Sequence, residues 1–362
     1  MGQVLTKLVS LFVMVCLARY LGQVGFGKFS FAFAYLGFFA ILTDFGLDQI
    51  LIREIASVER PPEVLFGNAV LLKLTLALLS LILACSIALS LDYPLSTKIL
   101  VLLASISLIF SYQSPSFGNV FTTIFTVNLS RVYVTAIDLV SKVVMGALTL
   151  LFILLRRTLF EIVAVNVFGL IPGFIALVYL SNRFIRPKFS LDFGLWKFLL
   201  RESLPIALSS IFVMVYFRVD VILLSLWKGE GAIGLYSASF KLTEAFTILG
   251  SAFIITLLPL ASRYYKSARK SMEMAYQVSL KYLLLLMIPV SIGTLFYRHQ
   301  IIDVLYGGEY AATSSALSIL IWATTFMMLN MTITTFLISI YQQKIFTLMA
   351  FCLMVANLTF NF

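Results

Sequence analysis

The stretch "WKGEGAIGLYSASF", Trp227–Phe240, sets Gly229, Gly231 and Gly234 at G-x-G-x-x-G spacing, the pattern that lets a dinucleotide pyrophosphate approach a helix N-terminus in soluble dehydrogenases. The fold turns on whether these glycines open a nucleotide-binding helix or join two helices of another kind. A nucleotide fingerprint needs a strand before it, a helix after it and an acid about 20 residues on. Here a long apolar run precedes the glycines, and Ser251 stands where the acid belongs, counted from Gly231. The glycines are therefore read as a tight connection between two membrane helices.

The rest of the chain agrees with that reading. Of its 362 residues 61% are hydrophobic and 12% charged, and the mean hydropathy is +1.04, far outside the composition of soluble domains. Apolar runs of roughly 18 or more residues recur from end to end, each enough to cross about 30 Å of hydrocarbon as a helix. The expectation is an all-α integral membrane protein with eleven spans, near 4–21, 29–51, 66–91, 96–125, 132–155, 159–181, 204–227, 234–260, 275–297, 312–338 and 345–362. The fourth and tenth are long enough to predict a tilt or a kink, the fourth at Pro115. The first is not read as a signal peptide, because Arg19-Tyr20-Leu21-Gly22 does not form a small-residue cleavage site.

Several kinds of chemistry have no basis in the residues. Cys16, Cys85 and Cys352 all fall inside apolar spans, as small buried hydrophobes do, and no disulfide framework results. His299 is the single histidine, and no Cys/His/carboxylate group has metal-ligand spacing. No cofactor is expected, and no G-x-x-x-x-G-K-[ST] loop is present to hold a nucleotide triphosphate. The net charge of +10 does not point to nucleic acid, because the basic residues lie in loops rather than in an aromatic-interleaved stripe. With a cytoplasmic N-terminus, the loops near 182–203 and 262–274 are inside. The inner loops then hold roughly twice the lysine and arginine of the outer ones, the distribution the positive-inside rule selects.

A shift of 207 residues sets Gly25–Leu42, "GFGKFSFAFAYLGFFAIL", on Ala232–Leu249, "AIGLYSASFKLTEAFTIL", matching Gly27 with Gly234, Ser30 with Ser237, Phe33 with Phe240 and Phe39 with Phe246. Six spans lie within one shift, so the copies run in parallel and form two bundles related by an axis along the membrane normal. The division expected is a six-helix bundle over 1–182, a basic cytoplasmic linker over 183–203 and a second, incomplete bundle over 204–362.

At this repeat the chain resembles a known family. "ARYLGQVGFGKFSFAFAYLGFFAILTDFGLDQILIREIA", Ala18–Ala56, is similar to the first helical hairpin of Wzx-type polysaccharide-biosynthesis flippases, within the multidrug/oligosaccharidyl-lipid/polysaccharide exporter superfamily. Glu202–Phe246 resembles the start of that family's second half, and "PLASRY", Pro259–Tyr264, its continuation. The resemblance implies twelve or more spans and movement of lipid-linked sugars from the inner to the outer leaflet, often with ion coupling. The chain departs from the pattern by ending at "ANLTFNF", Ala356–Phe362, inside the eleventh span.

An ionisable group near the middle of a span costs about 2.5–3.5 kcal/mol on insertion scales, so it calls for a partner or a wet cavity. Arg218 lies eleven residues before Gly229 and Lys241 ten after Gly231, which puts both about 15–16 Å deep at 1.5 Å per residue. Asp220, two residues from Arg218, faces elsewhere on a helix. Glu244 shares a face with Lys241 at i,i+3, and Asp138 stands four residues before Lys142 in the favourable order for an intrahelical pair. Lys73 has no acid within a turn and is a candidate for cavity lining. Asp44 and Asp48 fall toward the inner end of the second span, within reach of solvent.

The expected function is a cytoplasmic-membrane flippase for polyprenyl-diphosphate-linked oligosaccharide, two bundles rocking around a basic cavity within the lipid bilayer. Arg218, Lys241, Lys73 and Lys142 are its candidate substrate residues, since a cation in a low-dielectric cavity favours a diphosphate and arginine offers phosphate a forked pair of donors. Asp220, Glu244, Asp138, Asp44 and Asp48 are candidate counter-charges or sites of proton or sodium coupling. Association with glycan-assembly enzymes stays open. So do a multidrug exporter of the same superfamily, whose cationic substrates these cations would repel, and a membrane-embedded glycan polymerase, which would need larger outer loops.

Overall fold

The computed structural model of the chain describes residues 2–57, 59–113, 115–247, 269–339 and 343–361. All regular structure among them is helical, as the hydrocarbon core demands: a helix satisfies its own backbone donors and acceptors where no water can. The helices in order are α1 (Gly2–Asp44), α2 (Leu47–Ser57), α3 (Pro62–Ser90), α4 (Leu95–Ser105), α5 (Ser107–Phe110), α6 (Val120–Val127), α7 (Val132–Leu154), α8 (Leu159–Phe168), α9 (Leu170–Ser181), α10 (Phe193–Trp227), α11 (230–247), α12 (Arg269–Tyr306), α13 (Thr313–Ser339) and α14 (Gln343–Asn361).

By length and composition, seven helical segments among the described residues can cross a membrane, and three shorter apolar ones accompany them. The count of eleven is not reproduced, for reasons visible in the backbone. The first two expected spans form one helical run, α1, bent at Gly22, whose φ of 65° and ψ of 175° are non-helical. The expected fourth span is three helices: Ser111 and Ser116 are extended on either side of Pro115, which fits the break predicted there. The expected eleventh span falls on α14, Gln343–Asn361, whose described apolar stretch is Leu348–Asn357. The last part of the expected eighth span, the "PLASRY" stretch and Lys266 of the expected 262–274 loop lie outside the described residues.

The chain separates into two compact units. One takes Met1–Ser10 and Lys28–Leu226, the other Leu11–Gly27 and Trp227–Phe360, apart from single terminal residues. This grouping follows spatial contact, whereas the 1–182, 183–203 and 204–362 division follows sequence. The two differ over Leu11–Gly27 and over α10, which continues as one helix from inside the linker to Trp227.

The first unit is built on an apolar core in which Leu51 of α2, Phe66 of α3, Ile124 of α6 and Leu177 of α9 are buried. Phe66 and Phe117 both meet Phe121 edge-on, with ring centroids 5.9 Å apart, a favoured arrangement for aromatic quadrupoles. The second unit has a smaller buried group, Leu283 and Met287 of α12 with Met328 of α13.

Within the second unit the sequence repeat reappears as a contact. A Cβ on Gly27 would lie 1.8 Å from the Glu230 carbonyl oxygen, and one on Gly234 would lie 1.9 Å from the Gln23 carbonyl oxygen. Gly27 and Gly234 are mates under the 207-residue shift, and so are Gln23 and Glu230. Two surfaces that exchange the same contact are related by a local two-fold. The duplicated glycines therefore face each other where the first and second copies cross, with no room for a side chain on either.

The Gly22 bend is held from the same unit. Glu309 accepts the Gln23 backbone N–H at 3.0 Å, Tyr310 donates its hydroxyl to the Ala18 carbonyl at 2.9 Å, and Arg19 donates to the carbonyl of Leu305 at 2.7 Å and to that of Val304. The arginine thus caps orphan carbonyls at the C-terminal end of α12, where a cation is also favoured by the helix dipole. Burial pushes the Tyr310 phenol well above its ordinary pKa, which keeps it a neutral donor.

Candidate functional site

The charges inside the apolar helices are the features a membrane protein keeps only for a reason. The most enclosed of them is Lys73, on α3, whose side chain has no exposed surface. Its ammonium stands 2.6 Å from Asp44 Oδ1 at the end of α1 and 2.6 Å from Asp48 Oδ1 in the first turn of α2. Asp48 uses its other oxygen to accept the Asn119 side-chain N–H at 2.7 Å. The sharp passage between α1 and α2 makes this possible, because Phe45 and Gly46 take positive φ there, 48° and 74°, and so turn both aspartates toward α3.

This corrects two expectations. Lys73 does not line a cavity: it has no acid on its own turn, but two acids reach it from the preceding helices. Asp44 and Asp48 are not at solvent, since only 16% and 11% of their side chains are exposed. A buried cation with one buried anion, one half-buried anion and one amide donor forms a polar network in which each group's desolvation is offset by its neighbours. Asn119, a lone amide in an apolar stretch 71 residues from Asp48, carries no pattern by which the sequence alone reveals it.

A second polar group lies in the same unit. Lys142 meets Asp138 at 3.2 Å across one turn of α7, the pair the i,i+4 spacing predicts. Asp138 Oδ1 is buried without a hydrogen-bond partner, and so is the Tyr112 hydroxyl. A Cβ on Gly173 would lie 2.2 Å from that hydroxyl and 2.7 Å from Ser141 Oγ, so the glycine of α9 leaves the space that the two hydroxyls occupy. Tyr112, Ser141 and Gly173 were not visible as a set in the sequence, since the break after α5, helix α7 and helix α9 each contribute one.

The other candidates divide between the units. Arg218 and Asp220 lie on α10 in the first unit, both half-buried, in a stretch, 211–220, where every residue is half-buried. Lys241 lies on α11 in the second unit and donates to Glu244 at 2.7 Å, with both side chains partly exposed, the local pair that the i,i+3 spacing predicts. Among the described residues no group of three or more His, Cys, Asp and Glu side chains could hold a metal ion.

The chain can now be set beside known proteins. The profile of the polysaccharide biosynthesis protein family matches residues 1–265, and that of the MatE family matches 205–362. A Haloferax volcanii protein described as a probable low-salt glycan biosynthesis flippase, Agl15, is 24% identical over 319 residues; the match covers 84% of this chain and 62% of that protein. The chain thus spans less than two thirds of the length of this relative. Among solved structures, a lipid II flippase MurJ in an inward closed conformation shares the fold with a TM-score of 0.79 at 16% identity, over 97% of this chain and 77% of the other. An inward-facing multidrug resistance MATE family transporter of the MOP superfamily does so with a TM-score of 0.72 at 14% identity, over 96% and 83%. With a family profile running through nearly three quarters of its length, and a fold shared with these two solved structures, the chain belongs to the polysaccharide biosynthesis protein family.

Proposed function

We propose that the chain is part of a flippase that carries a polyprenyl-diphosphate-linked oligosaccharide from the inner to the outer leaflet of the cytoplasmic membrane, by alternating access, with the N-terminus cytoplasmic. The observation that carries this reading is the polysaccharide-biosynthesis profile over residues 1–265, and the glycan-flippase description of the Haloferax relative supports it. Arg218 is the substrate residue favoured by chemistry, because its planar fork of donors suits phosphate oxygens and it lies in a stretch of α10, 211–220, that is half-buried on every side. Lys241 and Lys142 are secondary candidates. Each sits beside a carboxylate with part of its side chain exposed, so a phosphate can take the carboxylate's place. Lys73, enclosed between Asp44 and Asp48, is left out of the proposed substrate residues. Asp138, with one unsatisfied oxygen, is the favoured site for a coupling proton or sodium ion, ahead of Asp220 and Glu244.

Mass spectrometry of lipids that co-purify with the membrane-extracted protein tests the reading. A polyprenyl diphosphate bearing sugars is the expected find. A bound organic cation displaced by protons or sodium, with no saccharide lipid, would replace the glycan substrate with multidrug export.

A further inference from the structure

Between α9 and α10 the chain crosses from one membrane helix to the next through residues 182–192, and this connection is pinned rather than loose. The Lys188 backbone N–H donates to the Glu63 carbonyl at 2.9 Å. The buried Asn68 side chain donates to Ser190 Oγ at 3.2 Å and accepts the Asp192 backbone N–H at 3.1 Å. Gly67 admits the Lys188 backbone so closely that a Cβ there would lie 2.1 Å from the Lys188 oxygen. Asp192 then caps α10 by accepting the Leu195 N–H at 2.9 Å, a standard use of aspartate at a helix start.

What this fixed backbone presents outward is unusual for a polar connection. Phe189, Leu191 and Phe193 are 62%, 67% and 71% exposed. Around them Arg186, Lys188, Lys197 and Arg201 are exposed too, and none of the four side chains has an ion-pair partner among the described residues. Of the nearby acids, Asp192 is committed to the cap and Glu202 to Arg53 at 2.8 Å; Glu63, exposed beside Lys188, is one carboxylate against four cations. A rigid surface of large apolar groups ringed by unmatched cations needs a partner that is apolar in its middle and anionic at its edge.

We propose that residues 186–201 form a docking surface for anionic phospholipid, with Phe189, Leu191 and Phe193 set among the acyl-chain ends and Arg186, Lys188, Lys197 and Arg201 on the phosphate headgroups. The charge complementarity selects anionic over zwitterionic lipid. The location selects lipid over an acidic protein, because the segment joins two helical stretches, Leu159–Ser181 (α8 with α9) and Phe193–Trp227, that are both long and apolar enough to cross a membrane, and so already lies at the bilayer surface. Aromatic side chains suit that boundary, and basic residues close to a membrane helix gain from anionic headgroups.

The test is native mass spectrometry of the full chain taken from mixed micelles of equal phosphatidylglycerol and phosphatidylcholine. The wild type should retain phosphatidylglycerol over phosphatidylcholine by at least about tenfold. The R186Q/K188Q/K197Q/R201Q variant should lose most of that preference, and F189S/F193S should retain less of both lipids while keeping the preference. All of them should melt with the wild type in lipid-free detergent, because the altered side chains are exposed. Equal retention of both lipids by the wild type, an unchanged preference in the quadruple variant, or a lowered melting temperature in either variant would overturn the proposal. So would capture of an acidic protein by a wild type that shows no lipid preference.

Discussion

Replacing Lys73 with Met tests the enclosed cluster directly. Methionine matches the lysine stem in shape but removes the ammonium, which now lies 2.6 Å from each of two carboxylates. Breaking a buried ion pair by deleting one partner costs about 3–5 kcal/mol, because the other charge is left uncompensated. Here two charges are left, and they repel each other. Taking up one proton relieves the repulsion, so a loss near about 3 kcal/mol is the expected value, or roughly a hundredfold in the folded-to-unfolded ratio. The assay is unfolding of the purified protein in a single mild detergent, titrated with dodecyl sulfate to obtain a free energy. The deficit should shrink as the pH falls, since protonated aspartates no longer need the cation. The triple variant K73M/D44N/D48N should recover more than half of the loss, with the new amide at 48 turning its oxygen toward the Asn119 donor. A K73M protein within about 1 kcal/mol of wild type, or a triple variant less stable than K73M, would refute the network.

Three further outcomes are expected. Gly27→Leu and Gly234→Leu should each lower stability by at least about 2 kcal/mol in the same titration, because the added side chain must displace backbone carbonyl oxygen rather than a flexible group; wild-type stability in both would disprove the crossing. Arg218→Ala should abolish flipping of lipid-linked saccharide in reconstituted vesicles at normal expression, while Arg218→Lys keeps part of it by retaining charge without the fork, and full transport by Arg218→Ala removes the residue from the substrate path. In a background without Cys16, Cys85 and Cys352, a cysteine at Lys188 should resist an impermeant maleimide in intact cells and one at Glu230 should react, and the opposite pattern would invert the topology.

The fold class was legible because membrane helices are written in composition, and the duplication because glycines that touch backbone tolerate no replacement. The exact span count is not confirmed among the described residues, because hydropathy registers apolar length and not the local backbone. Gly22 bends a helix without adding polarity, and the Ser111–Ser116 break adds little. Pairs within one turn, Asp138 with Lys142 and Lys241 with Glu244, followed from helical spacing alone. Lys73 was misread because its partners sit 25 and 29 residues away, on the far side of a hairpin. A count of depth from that hairpin, of the kind applied to Arg218 and Lys241, would have brought Asp48 near it. Nothing comparable marks Asn119 or the Tyr112 hydroxyl, whose significance comes only from what the fold leaves beside them.

The glycine crossing also constrains how such a duplicated chain can diverge. Each glycine abuts the backbone of the opposite copy rather than that copy's side chains, so no substitution elsewhere in the partner helix can make room by becoming smaller. A larger residue at position 27 would force a shift of the carbonyl at Glu230, and one at 234 would force a shift at Gln23. At this point neither half can change unless the main chain of the other moves.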